Sequence, residues 1–108
     1  MVLIVAKYFI PKGYRGLTVF PFVFIKFDRD RNNEVLIHHE KIHLRQQKEM
    51  LILPFYIWYG IEYTYRLFQY QNRNTAYQNI SFEREAYAKE ADLDYLKNRS
   101  FFAFLKFL

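Results

Sequence analysis

Cysteine is absent from these 108 residues, and histidine, glycine and proline occur only three times each. Without cysteine there is no disulfide and no thiolate metal site, and compartment cannot be read from thiol chemistry. Any metal must be held by imidazole and carboxylate, the donor set of catalytic rather than structural sites. Few glycines and prolines, set against 52% hydrophobic and 21% aromatic residues, exclude a disordered or low-complexity chain. Long apolar runs are missing too. The longest uncharged stretch, Met50 to Ile61, is twelve residues, contains Pro54 and Gly60, and ends at Glu62. A spanning helix needs about 20 apolar residues. This stretch is too short to cross a bilayer, but such a segment can lie on one. The start, Met1 to Lys7, has neither the basic leader nor the apolar length of a signal peptide. A cytoplasmic or peripheral membrane location is therefore expected.

What is present points to one domain, residues 1–108, with a core large enough to fold alone. The net charge is +5, but Lys7, Arg15, Lys26, Arg45, Lys48, Arg66, Arg73 and Lys97 are scattered and form no dense block. That argues against a nucleic-acid partner. Twelve Phe and ten Tyr exceed the needs of a small core. Some of these rings are expected to line a groove or to form a surface that meets a membrane or a partner protein.

An α+β fold is expected: an N-terminal antiparallel hairpin or small sheet, then three helices. Val2–Ile10 and Leu17–Phe27 are β-branched and aromatic and read as the two strands, with Pro11–Gly16 as the turn. Pro21 cannot donate to a ladder, which leaves the second strand with an open edge. Asn32 or Asn33 can cap a first helix that runs to about Leu53, where Pro54 stops it. A second helix is expected over Phe55–Tyr70, a loop over Gln71–Thr75, and a third helix over Phe82–Asn98 with Ser81 as its cap. The short aromatic tail, Phe101–Leu108, is expected to pack on the body.

All three histidines fall within six residues, His38, His39 and His43. They enclose H-E-x-x-H as His39-Glu40-Lys41-Ile42-His43. On a helix the i, i+4 spacing puts both imidazoles on one face, able to grip one zinc ion (Zn2+), with Glu40 placed as a base toward a metal-bound water. His38 points about 100° away from His39 and has Ile at i+4, so it reads as a bystander. A third ligand must be a carboxylate, with Glu62, Glu83, Glu85, Glu90 and the nearby aspartates as candidates. Arg66 stands at i+4 from Glu62 and Lys89 at i+4 from Glu85, where each can form a local ion pair. Glu83 has Tyr87 there instead, and the small Ala86 nearby lets its helix approach closely. Glu83 is favoured, with Glu62 and Glu85 left open.

His39–His43 followed by Glu83-Arg84-Glu85-Ala86 resembles the gluzincin metallopeptidases, which carry H-E-x-x-H on one helix and a glutamate ligand on a later one, often within E-x-x-A-D. His39–Gln47 and Phe82–Tyr87 also resemble segments of a group of small bacterial proteins. The resemblance implies a minimal zincin-like domain in which His39, His43 and Glu83 hold Zn2+ and Glu40 is the catalytic base, acting on a peptide or protein substrate. This chain has Tyr87 where the family pattern has Asp, a residue that orients a ligand histidine. A tyrosine hydroxyl can accept from an imidazole N–H but brings no negative charge. Gln46 and Gln47, one turn after His43, could help to orient ligands. Leu17–Phe27 could pair with an extended substrate. Two other readings remain open: a zinc-binding protein without proteolytic activity, and a basic aromatic module for membranes or nucleic acid.

Overall fold

A computed structural model describes all residues, 1–108. Three short strands, β1 (Val2–Val5), β2 (Gly16–Val19) and β3 (Phe22–Ile25), form a mixed sheet in the order β1-β3-β2. Five helices follow: α1 (Glu34–Glu49), α2 (Leu53–Tyr70), α3 (Arg73–Gln78), α4 (Ser81–Lys89) and α5 (Tyr95–Asn98). The α+β class is as the composition and patterning lead one to expect.

The pairing inside the sheet differs from that expectation. The antiparallel hairpin forms between β2 and β3, from Gly16 opposite Ile25 to Val19 opposite Phe22, and so folds the expected second strand back on itself. β1 instead runs parallel to β3, with Val2 opposite Phe22 and Val5 opposite Ile25. Pro21 explains the split: lacking an N–H, it sits in the two-residue turn rather than in a ladder. Pro11 begins a tight turn closed by the Tyr14 amide donating to the Pro11 carbonyl (3.1 Å), and Gly13 supplies its positive φ of 95°.

The helices also depart in detail. Of the two expected candidates, Asn33 caps α1, its side-chain oxygen accepting from the Leu36 amide. Residues 73–75, expected to be loop, open α3, which Asn72 caps through Thr75. The third long helix is cut in two. α4 ends at Lys89, and a turn through Asp92 leads to α5. Ser81 is the first residue of α4 rather than its cap.

An apolar cluster of Phe55, Ile80, Phe82 and Phe104 joins α2, α4 and the tail, with Met50, Tyr59, Tyr63 and Phe102 packed around it. The tail docks as expected, since Ala103 and Phe104 are buried. α1 has a different character. Its buried side chains are His38, His39, Glu40, His43, Gln46 and Gln47, with Ile42 the one apolar member. Such a helix is held by hydrogen bonds to its neighbours, because each buried polar group left without a partner costs about 1–3 kcal/mol.

The α1–α2 connection is tight. Leu51 (φ 60°) and Ile52 (φ 66°) both adopt left-handed backbone, and the chain turns back so that Phe55 and Tyr59 reach the site. Leu51 is 80% exposed, so its side chain does little to offset that backbone cost. We expect Leu51→Gly to raise the stability in urea unfolding by up to about 1 kcal/mol, the left-handed penalty less the flexibility of glycine.

Candidate metal centre

α1 and α4 pack side by side, with the small Ala86 fully buried. This brings His39 and His43 of α1 against Glu83 of α4. His39 Nε2 lies 3.2 Å from His43 Nε2, and Glu83 Oε1 lies 3.2 Å from the first and 3.0 Å from the second. All three residues are buried and form a group that could hold a metal ion. The edges of this triangle are close to those of a tetrahedron with zinc–nitrogen bonds of about 2.0–2.1 Å.

The surroundings decide which atoms face inward. His39 Nδ1–H donates to Glu90 Oε2 at 2.7 Å, leaving the Nε2 lone pair toward the centre. His43 Nδ1–H donates to Gln46 Oε1 at 2.8 Å. The Gln46 amide cannot flip, because its nitrogen donates to the Phe82 carbonyl (3.1 Å) and to Glu85 Oε1 (2.9 Å). Tyr59 donates to Glu83 Oε2 at 2.8 Å, so Glu83 presents its other oxygen.

Three acceptor atoms then face one another, and they need a positive species between them. Burial works against a charged His43, but the Glu83 carboxylate, its hydrogen bond and Glu40 outweigh burial and push the imidazole up to about 9. Burial likewise penalises a charged Glu83, but His43 and His39 outweigh it and hold the carboxyl well below its usual range. Without a cation there, a proton on His43 would meet the same need. The donor set and spacing fit a zinc ion.

The other expected carboxylates are engaged elsewhere. Glu62 caps α4 from α2, accepting from the Ser81 amide (2.5 Å) and the Ser81 hydroxyl (2.6 Å). Its pairing with Arg66 is present but long, 3.8 Å. Glu85 is held by Arg99 rather than by Lys89, with Nε–Oε2 at 2.5 Å and a further hydrogen bond from Tyr95. Arg99 also binds Glu49 through two nitrogens, at 2.7 and 3.1 Å, and all three side chains are inaccessible to solvent or nearly so.

Glu90, one of the candidate ligands, orients His39 instead. Tyr87 does not take that role; its ring packs edge-on against His39, centroids 4.6 Å apart. Glu90 is legible in principle, since seven residues from Glu83 is two helical turns and the same face. His38 is buried and not at the surface; its Nδ1 lies 3.0 Å from the Glu90 carbonyl and helps to place that residue.

Glu40 sits under β2, away from the donor triangle but facing the same cleft. Its Oε2 accepts from the Thr18 hydroxyl at 2.5 Å. A Cβ at Gly16 would stand 2.6 Å from Glu40 Oε1, so only glycine lets the strand come this close. Burial pushes the Glu40 carboxyl up, partly opposed by His43, His39 and the Thr18 bond. The cleft, about 380 Å³, is walled by Leu17 and Thr18 of β2 and by Phe55, Tyr56, Tyr59 and Tyr63 of α2, with Glu40, His43 and Glu83 at its base. β2 is an edge strand, but the edge is partly taken. The Thr18 carbonyl accepts from Gln47 and Tyr56, both at 2.8 Å, and the Phe20 amide donates to Gln47 at 2.7 Å.

No protein-family model, curated protein or solved structure matches this chain. The likeness to gluzincins thus rests on the short motifs and on the buried His39, His43 and Glu83.

Removing the charge that steadies His39 should weaken metal binding without unfolding the protein. We expect Glu90→Gln to lower zinc affinity about 10- to 100-fold in competition with a chelating dye, with the circular dichroism spectrum unchanged. The network behind Gln46 has its own pH signature. Burial opposes ionisation of Glu85, but Arg99, Tyr95 and Gln46 outweigh it and lower its pKa below the ordinary 4.5. The stabilisation is therefore complete above pH 4.5 and fades as the pH falls through the lowered value. Urea unfolding from neutral to acid pH should show this acid-side loss in the native protein and a smaller one in Glu85→Gln.

Proposed function

We propose that the chain is a zinc-dependent hydrolase that cleaves peptide bonds, with His39, His43 and Glu83 as ligands and Glu40 as the base. The observation that carries this reading is the placement of Glu40. It follows His39 in sequence, is buried, and opens onto the same cleft as His43 and Glu83. A buried carboxylate of raised pKa is suited to taking a proton and giving it back near neutral pH. Zinc, when bound, would supply Lewis acidity and lower the pKa of a water to about 7.

The chain's own residues would then act as follows. Glu40 takes the proton from the attacking water as the new C–O bond forms. It returns that proton to the amide nitrogen as the C–N bond breaks, releasing an amine and a carboxylic acid. The Thr18 hydroxyl keeps Glu40 in place through the exchange. Tyr77 lines the cleft, and burial together with the Glu83 carboxylate keeps its hydroxyl protonated. Turned from Tyr87 toward the cleft, this hydroxyl would donate to the oxygen on which charge develops. The aromatic wall from α2 favours an apolar side chain in the substrate.

A second reading, a metal-binding protein without proteolytic activity, is favoured by the occupied edge of β2. Gln47 and Tyr56 hold groups that an extended substrate would use. One variant separates the two readings. Glu40→Gln should retain zinc in elemental analysis and lose cleavage of an unfolded protein by about 100-fold or more. A zinc-loaded native protein that cleaves no peptide would leave the second reading standing.

A further inference from the structure

α2 has eighteen residues and only two charges, Glu62 and Arg66, and both are buried. They lie on the side that also carries Phe55 and Tyr59 toward the core and the cleft. On the other side Leu53, Ile57, Ile61, Tyr65 and Phe68 fall within about 120° of arc at 100° per residue. Each of the five is more than half exposed, from 56% at Ile57 to 80% at Phe68. The face also continues beyond the helix. Trp58 meets Phe104 of the tail edge-on, centroids 5.3 Å apart, and next to Phe104 stand the exposed Leu105 and Lys106.

The exposed charge that flanks α2 along the chain is of one sign. Six of the eleven carboxylates are buried (Asp30, Glu40, Glu49, Glu62, Glu83 and Glu85), against two of the sixteen Lys and Arg, Arg66 and Arg99. From Lys41 to Lys89 every carboxylate is buried, while Lys41, Arg45, Lys48 and Arg73 are exposed. The tail adds the exposed Lys106 and no acid. A second copy packed along α2 would bring the exposed Lys48 and Arg73 that flank the helix in the chain toward their like. A surface of anionic headgroups over an apolar interior matches both parts, the cations and the apolar stripe.

We propose that the exposed face of α2 docks on an anionic lipid surface, with the helix lying in the plane of the interface. Its length, about 27 Å at 1.5 Å per residue, is laid along the membrane and not through it, and no helix is long and apolar enough to cross. This inference stands apart from the metal chemistry, but α2 links the two. The helix that would face the lipid also walls the cleft, so docking would hold the cleft beside the headgroups.

The protein carries its own reporter, since Trp58 is its one tryptophan and borders the face. Full-length protein is mixed with vesicles of phosphatidylcholine, with or without phosphatidylserine, and followed by sedimentation and Trp58 emission. The expected result is a blue shift and binding about tenfold tighter to the anionic vesicles, weakened as salt rises from roughly 0.1 to 0.5 M. The double variant Ile57→Asp with Ile61→Asp, and separately Phe68→Asp, should each lower binding by about tenfold or more with zinc content and circular dichroism unchanged. Tyr8→Asp, at an exposed residue of the N-terminal segment, should leave binding as it was. Equal binding to neutral vesicles, or full binding by the α2 variants, would overturn the proposal. So would a lack of vesicle binding together with a dimer that the double variant dissolves, which would assign the face to a second copy.

Discussion

Two imidazole nitrogens and a carboxylate oxygen, all acceptors, stand within 3.2 Å of one another in the interior. Their mutual repulsion is the constraint on which the rest of the molecule depends. A cation or a shared proton has to sit among them, and every neighbouring group serves to keep them converged. Glu90 and Gln46 hold the outer nitrogens of the two histidines, and Tyr59 holds the outer oxygen of Glu83. Behind Gln46 the buried Glu85–Arg99–Glu49 group ties α4 and α1 to the segment after α5. Removing one partner from such a network leaves an uncompensated charge, which is far more damaging than never having built it.

This polar interior has a consequence for the exterior. The site and its supports draw carboxylates inward, because carboxylates accept from histidine N–H groups, from helix N-termini and from Arg99. The lysines and most arginines have no such role and remain outside. A modest formal excess of +5 is thereby turned into a surface with few exposed acids. α2 sharpens the contrast. Its inner face closes the cleft with aromatic rings, and its outer face leaves apolar groups in solvent with cations flanking it in the chain.

Much of the site is legible in the order of residues alone. H-E-x-x-H on a capped helix is a local pattern, set by 3.6 residues per turn, and it puts His39 and His43 on one face with Glu40 beside them. Glu83 stands out among the carboxylates because its i+4 neighbour, Tyr87, offers it no cation. The supporting residues are less visible. Tyr87, at the family's Asp position, draws attention away from Glu90, which is the residue that braces His39. Lys89 stands at i+4 from Glu85 on the helix, but the cation that holds it is Arg99, fourteen residues away. Ser81 has the chemistry of a cap, but Glu62 takes that role from another helix.

The strands show the same division. Alternation and β-branching mark where extended chain occurs, and Pro21 marks a break in it. Neither states which strand lies beside which, and β1 pairs in parallel with β3 because the hairpin closes within Leu17–Phe27. What the sequence determined by itself were the features governed by contacts within a turn or two of chain: the helix carrying the histidines, an asparagine cap at its start, the α+β class and the uncharged stretch of α2. Only the tertiary structure decided which carboxylate meets the histidines, which ones brace it and which face of α2 stays in solvent. Those outcomes depend on groups tens of residues apart competing for the same partners, and a linear chain does not record who wins.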